Sequence, residues 1–186
     1  FAFALKITYT LKEHDLEVCW EVVNNDSETM YFTIGGHPAF RVPVREGESQ
    51  SDYRLAFEGL DTLTYLLIDT SVGTVLADEP HTLSLENGTC SIAPHMFDKD
   101  ALVFDNGQIQ KAGILFPDGT PYLTLTSEGF PNFGIWSVPG APFVCLEPWM
   151  GRCDDCGFEK PLSEKANINV LKPDEEFIKS YQITVH

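Results

Sequence analysis

Basic residues are scarce in this sequence. Against 28 Asp and Glu stand only 12 Lys and Arg, which leaves a net charge of −16 over 186 residues. A chain this acidic repels polyanions, so neither nucleic acid nor an anionic membrane surface is expected as a partner. Long apolar runs are also missing, and no stretch approaches the roughly 20 residues of a membrane-spanning helix. The opening FAFALKITYTLK has neither the basic start nor the cleavage site of a secretory leader. Cysteines are few and uneven: Cys19, Cys90, Cys145, Cys153 and Cys156. An odd number at irregular spacing is no disulfide framework. Cys153 and Cys156 have C-x-x-C spacing, but no second pair of zinc ligands stands at a matching interval. A redox motif of that form opens a helix in a βαβ unit, and no such unit is visible. The resulting expectation is a reduced, cytoplasmic protein with incidental thiols and no metal. P-loop, G-x-S-x-G, H-E-x-x-H and G-x-G-x-x-G motifs are all absent, and no cofactor is expected.

Helical periodicity is lacking too. Nowhere do apolar residues recur at i, i+3, i+4, i+7 over ten positions, although Pro94 to Asp98 leaves room for a short helical turn. Alternation is abundant instead. Phe3, Leu5, Ile7, Tyr9 and Leu11 share one face of a strand, a polar turn follows at Lys12 to Asp15, and Leu16, Val18, Trp20 and Val22 alternate again. These two runs read as a hairpin. Met30 to Ile34 reads as a further strand and residues 35–52 as loop. Short strands separated by Asn87-Gly88, Asp105-Asn106-Gly107 and Pro117-Asp118-Gly119 continue to the C-terminus. The pattern predicts an all-β sandwich or barrel, and no linker or low-complexity tract divides residues 1–186, so one domain is expected. The chain opens inside a strand pattern without an initiator Met, and about a dozen strands give no closed pairing. A missing N-terminal portion is therefore the expectation.

Two segments concentrate chemistry. In Tyr31-Phe32-Thr33-Ile34-Gly35-Gly36-His37-Pro38-Ala39-Phe40, a strand runs into two glycines and a His-Pro. The glycines allow a sharp turn and close approach to the backbone, and Pro38 biases His37 towards an extended conformation. A histidine held this way can give or take a proton near neutral pH. The plain alternative is a turn histidine bonded to backbone. In Ala141-Pro142-Phe143-Val144-Cys145-Leu146-Glu147-Pro148-Trp149-Met150-Gly151-Arg152, Glu147 ends an uncharged strand. A buried carboxylate costs several kcal/mol unless partnered, so it marks either a function or a salt bridge, with Arg152 the obvious partner. Trp149 and Trp136 are candidate stacking surfaces for a sugar ring, though core filling is the commoner role for a residue placed like Trp136. Asp100, the last charge before an apolar strand, reads either as an acceptor for a sugar hydroxyl or as a turn residue.

The segments YFTIGGHPAF, FDKDALVF, FGIWSVPGAPFVCLEPWMGRCDD and NINVLKPDEEF together resemble the aldose 1-epimerase (galactose mutarotase) superfamily, nearest its bacterial LacX-like branch. The resemblance implies a β-supersandwich that opens and recloses a sugar hemiacetal without a cofactor. It implies that His37 is the acid, Glu147 the base and Asp100 a hydroxyl-binding group, with a hexose as small-molecule partner. It also implies that the chain is the C-terminal two-thirds of the family fold, without an arginine and a second histidine that hold the sugar in family members. Interconversion of α and β anomers needs one proton taken from the anomeric hydroxyl and one given to the ring oxygen. Glu147 and His37 would supply these from groups a sugar-ring width apart, too far for a direct hydrogen bond. Two alternatives use the same fold: a non-catalytic carbohydrate-binding or regulatory protein, and a hexose-6-phosphate 1-epimerase, which would want more basic residues near these motifs. A glycosidase would need two facing carboxylates. Oligomeric state is not set by the sequence.

Overall fold

The computed structural model describes residues 1–186. Eighteen strands run in chain order as β1 Phe3–Lys12, β2 Asp15–Asn24, β3 Met30–Phe32, β4 Ile34–Gly35, β5 Ala39–Arg41, β6 Arg54–Ala56, β7 Thr62–Tyr65, β8 Ile68–Asp69 and β9 Thr74–Val75. They continue as β10 His81–Ser84, β11 Thr89–Ser91, β12 Leu102–Phe104, β13 Lys111–Leu115, β14 Pro121–Thr126, β15 Asn132–Trp136, β16 Phe143–Met150, β17 Asn169–Leu171 and β18 Glu176–Val185. The helical segments are two three-residue 3-10 turns, Gln50–Asp52 and Leu162–Glu164. Pro94 to Asp98 forms turns and no helix. No helix is long and apolar enough to cross a membrane.

Two antiparallel sheets make the sandwich. The larger has the order β1-β2-β18-β14-β13-β6-β11, and the smaller runs β12-β15-β16-β4 with β5 also paired to β16. Strand alternation places the core between them. From the larger sheet come Val18, Trp20, Leu55, Ile114, Leu123, Leu125, Tyr181 and Ile183; from the smaller come Leu102, Phe104, Phe133, Ile135, Val144 and Leu146, all in one buried cluster. The other face of the smaller sheet is thereby left to carry a site.

The predicted hairpin forms as read. Lys12 pairs with Asp15 across a two-residue turn in which Glu13 has φ of 54°. Met30 to Ile34, expected as one strand, is broken at Thr33, because β3 pairs with β17 whereas β4 pairs with β16 in the smaller sheet. Residues 35–52, expected as loop, contain β5, which exists only because β16 offers it a partner.

The apolar face of β1 has no cover. Phe3, Leu5, Ile7, Tyr9 and Leu11 stand opposite Asn24, Val22, Trp20, Val18 and Leu16, on the face that elsewhere forms the core, yet all five are exposed. β1 is also an edge strand. A long, flat, apolar edge is a template for association. The 186-residue chain expressed alone is therefore expected to self-associate at micromolar concentration, and Leu5→Lys with Ile7→Lys to reduce this. Light scattering coupled to gel filtration measures it, and a monodisperse monomer with the parent sequence would contradict the expectation.

Candidate functional site

β15 and β16 pair so that Asn132, Gly134 and Trp136 lie opposite Trp149, Glu147 and Cys145. Their alternates Phe133, Ile135, Val144 and Leu146 are in the core, so Glu147, Trp149, Trp136 and Cys145 project from the outer face of the smaller sheet. The Gly-Gly-His-Pro segment completes this face from the other side. Trp149 pairs with Gly35 and Cys145 with Ala39, and the same register continued between them puts His37 directly opposite Glu147. Two backbone bonds hold that register: Gly36 N–H donates to Pro148 O at 2.9 Å and Leu146 N–H to Pro38 O at 3.3 Å. Side chains directly opposite in an antiparallel pair have Cβ atoms about 5 Å apart. Accordingly His37 Nδ1 stands 3.2 Å from Glu147 Oε1. The expectation of a sugar-ring width between the two is not met, because the cross-strand register brings them into direct contact.

The partners differ in setting. Glu147 is 5% exposed, whereas the His37 side chain is 59% exposed. No Lys or Arg lies within ion-pair distance of Glu147. The expected alternative, a Glu147–Arg152 salt bridge, does not form. Arg152 turns away and is committed elsewhere: its Nε donates to Asp105 Oδ1 at 2.8 Å, its Nη2 to Asp105 Oδ2 at 2.7 Å, and Nη2 also to Asp155 Oδ1 at 2.7 Å. Burial pushes the Glu147 carboxyl up to about 7, and the negative charge of Asp100 adds to this, while a hydrogen bond from the Trp149 side chain opposes it. A carboxyl poised near neutrality is what a general base needs.

Asp100 reaches this neighbourhood from the turn before β12. It adopts φ of 75°, an uncommon conformation for a residue with a side chain, and its Oδ1 accepts from the Ala101 N–H at 2.6 Å. Trp136 is half-buried on the outer face and meets the His37 ring edge-on, with centroids 5.7 Å apart; Phe143 lies 6.0 Å further along. Trp149 is half-buried as well, packed against the small apolar cluster of Leu66, Val75 and Val103. Its ring covers Gly35 and Gly134, and a Cβ at either position would fall well inside contact distance of the indole. Gly134→Ala is thus expected to tilt Trp149 away from Glu147 and to cost about 1–3 kcal/mol by overpacking. Denaturant unfolding with tryptophan fluorescence reads both effects, and unchanged spectrum and stability would show that the ring has room to spare.

The five residues singled out from the sequence thus gather in one region: Trp136, Glu147 and Trp149 on the outer face of the smaller sheet, His37 opposite Glu147 between β4 and β5, and Asp100 in the turn before β12. Three contributors were not singled out. Cys145 shares the face of Glu147 by simple i, i+2 alternation, a signal present in the sequence but read only as a thiol. Gly134 and Phe143 needed the strand pairing to acquire meaning.

The two sheets and the residues gathered on the smaller one define a β-sandwich of the galactose mutarotase-like kind. The sequence profile described as aldose 1-epimerase matches residues 1–182, and the chain belongs to that family. It is 29% identical over 188 residues to the plasmid-encoded protein LacX of Lactococcus lactis subsp. lactis, a match covering all of this chain and 62% of that protein. Among solved structures it is similar to a galactose mutarotase related enzyme from Lactobacillus acidophilus, with a TM-score of 0.89 and 27% identity over 99% of this chain and 61% of that one. A galactose mutarotase-like protein from Lactobacillus casei gives a TM-score of 0.82 and 26% identity, over 99% of this chain and 63% of that one. The chain spans about three-fifths of the length of these relatives.

Proposed function

We propose that the protein to which this chain belongs interconverts the α and β anomers of an aldose, with Glu147 as base and His37 as acid. The observation that carries this is the buried, cation-free Glu147 facing the exposed His37 across an antiparallel pair, beside two tryptophan surfaces. In ring opening, the Glu147 carboxylate removes the proton of the anomeric hydroxyl. The O1–C1 pair becomes a carbonyl, the C1–O5 bond breaks, and O5 takes a proton from the His37 imidazolium. Rotation about C1–C2 presents the other face of the aldehyde, and closure returns both protons. O1 and O5 hang on the same carbon, so a sugar edge inserted between the two side chains replaces their direct contact. His37, being exposed, is the partner free to yield.

Asp100 serves in this reading as acceptor for a sugar hydroxyl, and Trp136 and Trp149 flank the ring as apolar surfaces. No cofactor enters the reaction. The test is NMR exchange spectroscopy or polarimetry on the full-length protein with a panel of aldoses, including a 6-phosphate. Accelerated exchange supports the proposal. Saturable sugar binding without acceleration for any member would assign the protein instead to carbohydrate binding.

A further inference from the structure

Beside the acid–base pair lies a third group that the reaction does not use. Cys145 is two residues before Glu147 on the same face of β16, and Ala39, two residues after His37, pairs with it. The Cys145 sulfur, a His37 ring nitrogen and a Glu147 carboxylate oxygen all lie within 4.8 Å of one another. We infer that His37, Cys145 and Glu147 form a three-ligand site for a borderline-soft divalent cation of the zinc class, which binds in place of the sugar.

The donor set is one sulfur, one imidazole nitrogen and one carboxylate oxygen, the three ligand types zinc prefers. In a tetrahedral zinc site with Zn–N and Zn–O distances near 2.1 Å, neighbouring N and O ligands stand about 3.4 Å apart. His37 Nδ1 and Glu147 Oε1 are already 3.2 Å apart. The sulfur lies within 4.8 Å of both and has to close by at most about 1 Å to reach ligand spacing, and the exposed imidazole is free to adjust. Cys145 and Glu147 are buried on one strand and fixed relative to each other. On binding, the thiol releases its proton to solvent, so a thiolate and a carboxylate together neutralise the cation. Two buried anions and a dication leave no net charge on the outer face of the sheet, which offsets their desolvation. With three protein ligands, one of them on an exposed side chain, a fourth position is left for water. Coordination takes the lone pairs with which Glu147 and His37 would handle protons, so on the proposed reaction the ion is an inhibitor.

The C-x-x-C segment is the rival site. Cys153 is half-buried near Trp149 and Cys156 is exposed, and no third ligand clusters with them as one does around Cys145.

Cobalt(II) titrated into the metal-free full-length protein separates the two, since thiolate ligation gives a charge-transfer absorption and tetrahedral geometry gives intense visible bands. Both are expected in the parent protein and in Cys153→Ser with Cys156→Ser. Cys145→Ser should abolish the charge-transfer band. His37→Asn, a change at an exposed side chain that keeps the fold out of question, should weaken cobalt binding by more than about tenfold. Zinc should displace the cobalt. Absence of the band in the parent, its persistence in Cys145→Ser, its loss in the Cys153/Cys156 double variant, or unchanged affinity in His37→Asn would each overturn the inference. The readout does not involve anomer exchange, so a protein that binds cobalt here yet exchanges no anomers refutes the proposed reaction and leaves the metal site standing.

Discussion

Glu147→Gln and His37→Asn are each expected to lower the kcat of anomer exchange by roughly 10²–10⁴ in the full-length protein, with a smaller effect on sugar affinity. Glutamine keeps the size of Glu147 and its place opposite His37 but cannot take a proton. Asparagine keeps a polar group at the Gly-Gly-X-Pro turn but cannot give one near neutral pH. The interactions removed act on protons in flight, so the loss falls on the transition state. Sugar binding, followed by tryptophan fluorescence because Trp136 and Trp149 flank the pair, should survive in both variants. Because the two groups share one close contact, with Nδ1 3.2 Å from Oε1, removing both should cost much less than the product of the single losses. Parent-like exchange in either variant would remove that residue from the mechanism. Strictly multiplicative losses would show that the two act independently.

The second expected result is that Glu147→Gln, while losing activity, gains stability above neutral pH. The Glu147 carboxyl rises from 4.5 to about 7 in the folded protein, chiefly through burial, so the folded state holds this proton more tightly than the unfolded chain does. Its contribution to stability is full below pH 4.5, falls as pH rises from 4.5 to about 7, and stays at its low value above that. The difference corresponds to something on the order of 3 kcal/mol. Glutamine carries no charge to bury, so denaturant midpoints at pH 8 should favour Glu147→Gln by up to that amount, and the gap should close by pH 4. The kinetic counterpart is a rate that rises with pH through the neutral region as the Glu147 base ionises. The apparent value belongs to the coupled pair. If Glu147→Gln were less stable than the parent at both pH 4 and pH 8, Glu147 would be holding the fold together, and the base assignment would lose its physical basis.

Gain of stability on loss of the acid is the usual mark of a group retained for chemistry. The contrast with Arg152 supports the distinction. That side chain is also buried, but its charge is met by two carboxylates, Asp105 and Asp155, and Asp105 accepts further from Asn132 Nδ2 at 2.7 Å. One buried ion is thus met by two opposite charges and is structural, and the other, a few residues before it, has the Trp149 side chain and an exposed imidazole but no Lys or Arg.

The sequence by itself determined the all-β class, the first hairpin and the identity of the two chemical segments. Alternation and turn residues are local signals, and both strands of the hairpin lie within one short stretch of chain. It also marked Glu147, because a lone carboxylate after an apolar run is anomalous wherever that run packs, although the strand expected to end there continues to Met150. What it did not contain was distance. More than a hundred residues separate His37 from Glu147, and their contact follows from β4 and β5 joining β16 in one continuous register. The same long-range pairing turned Thr33 into a break between two sheets, directed Arg152 to Asp105 and away from Glu147, and set Cys145 beside the pair. The uncovered face of β1 shows the reverse limit. Its alternation predicts a buried strand, and only the tertiary structure reveals that nothing in these 186 residues lies over it, because periodicity specifies which face seeks cover and not whether a partner layer is present.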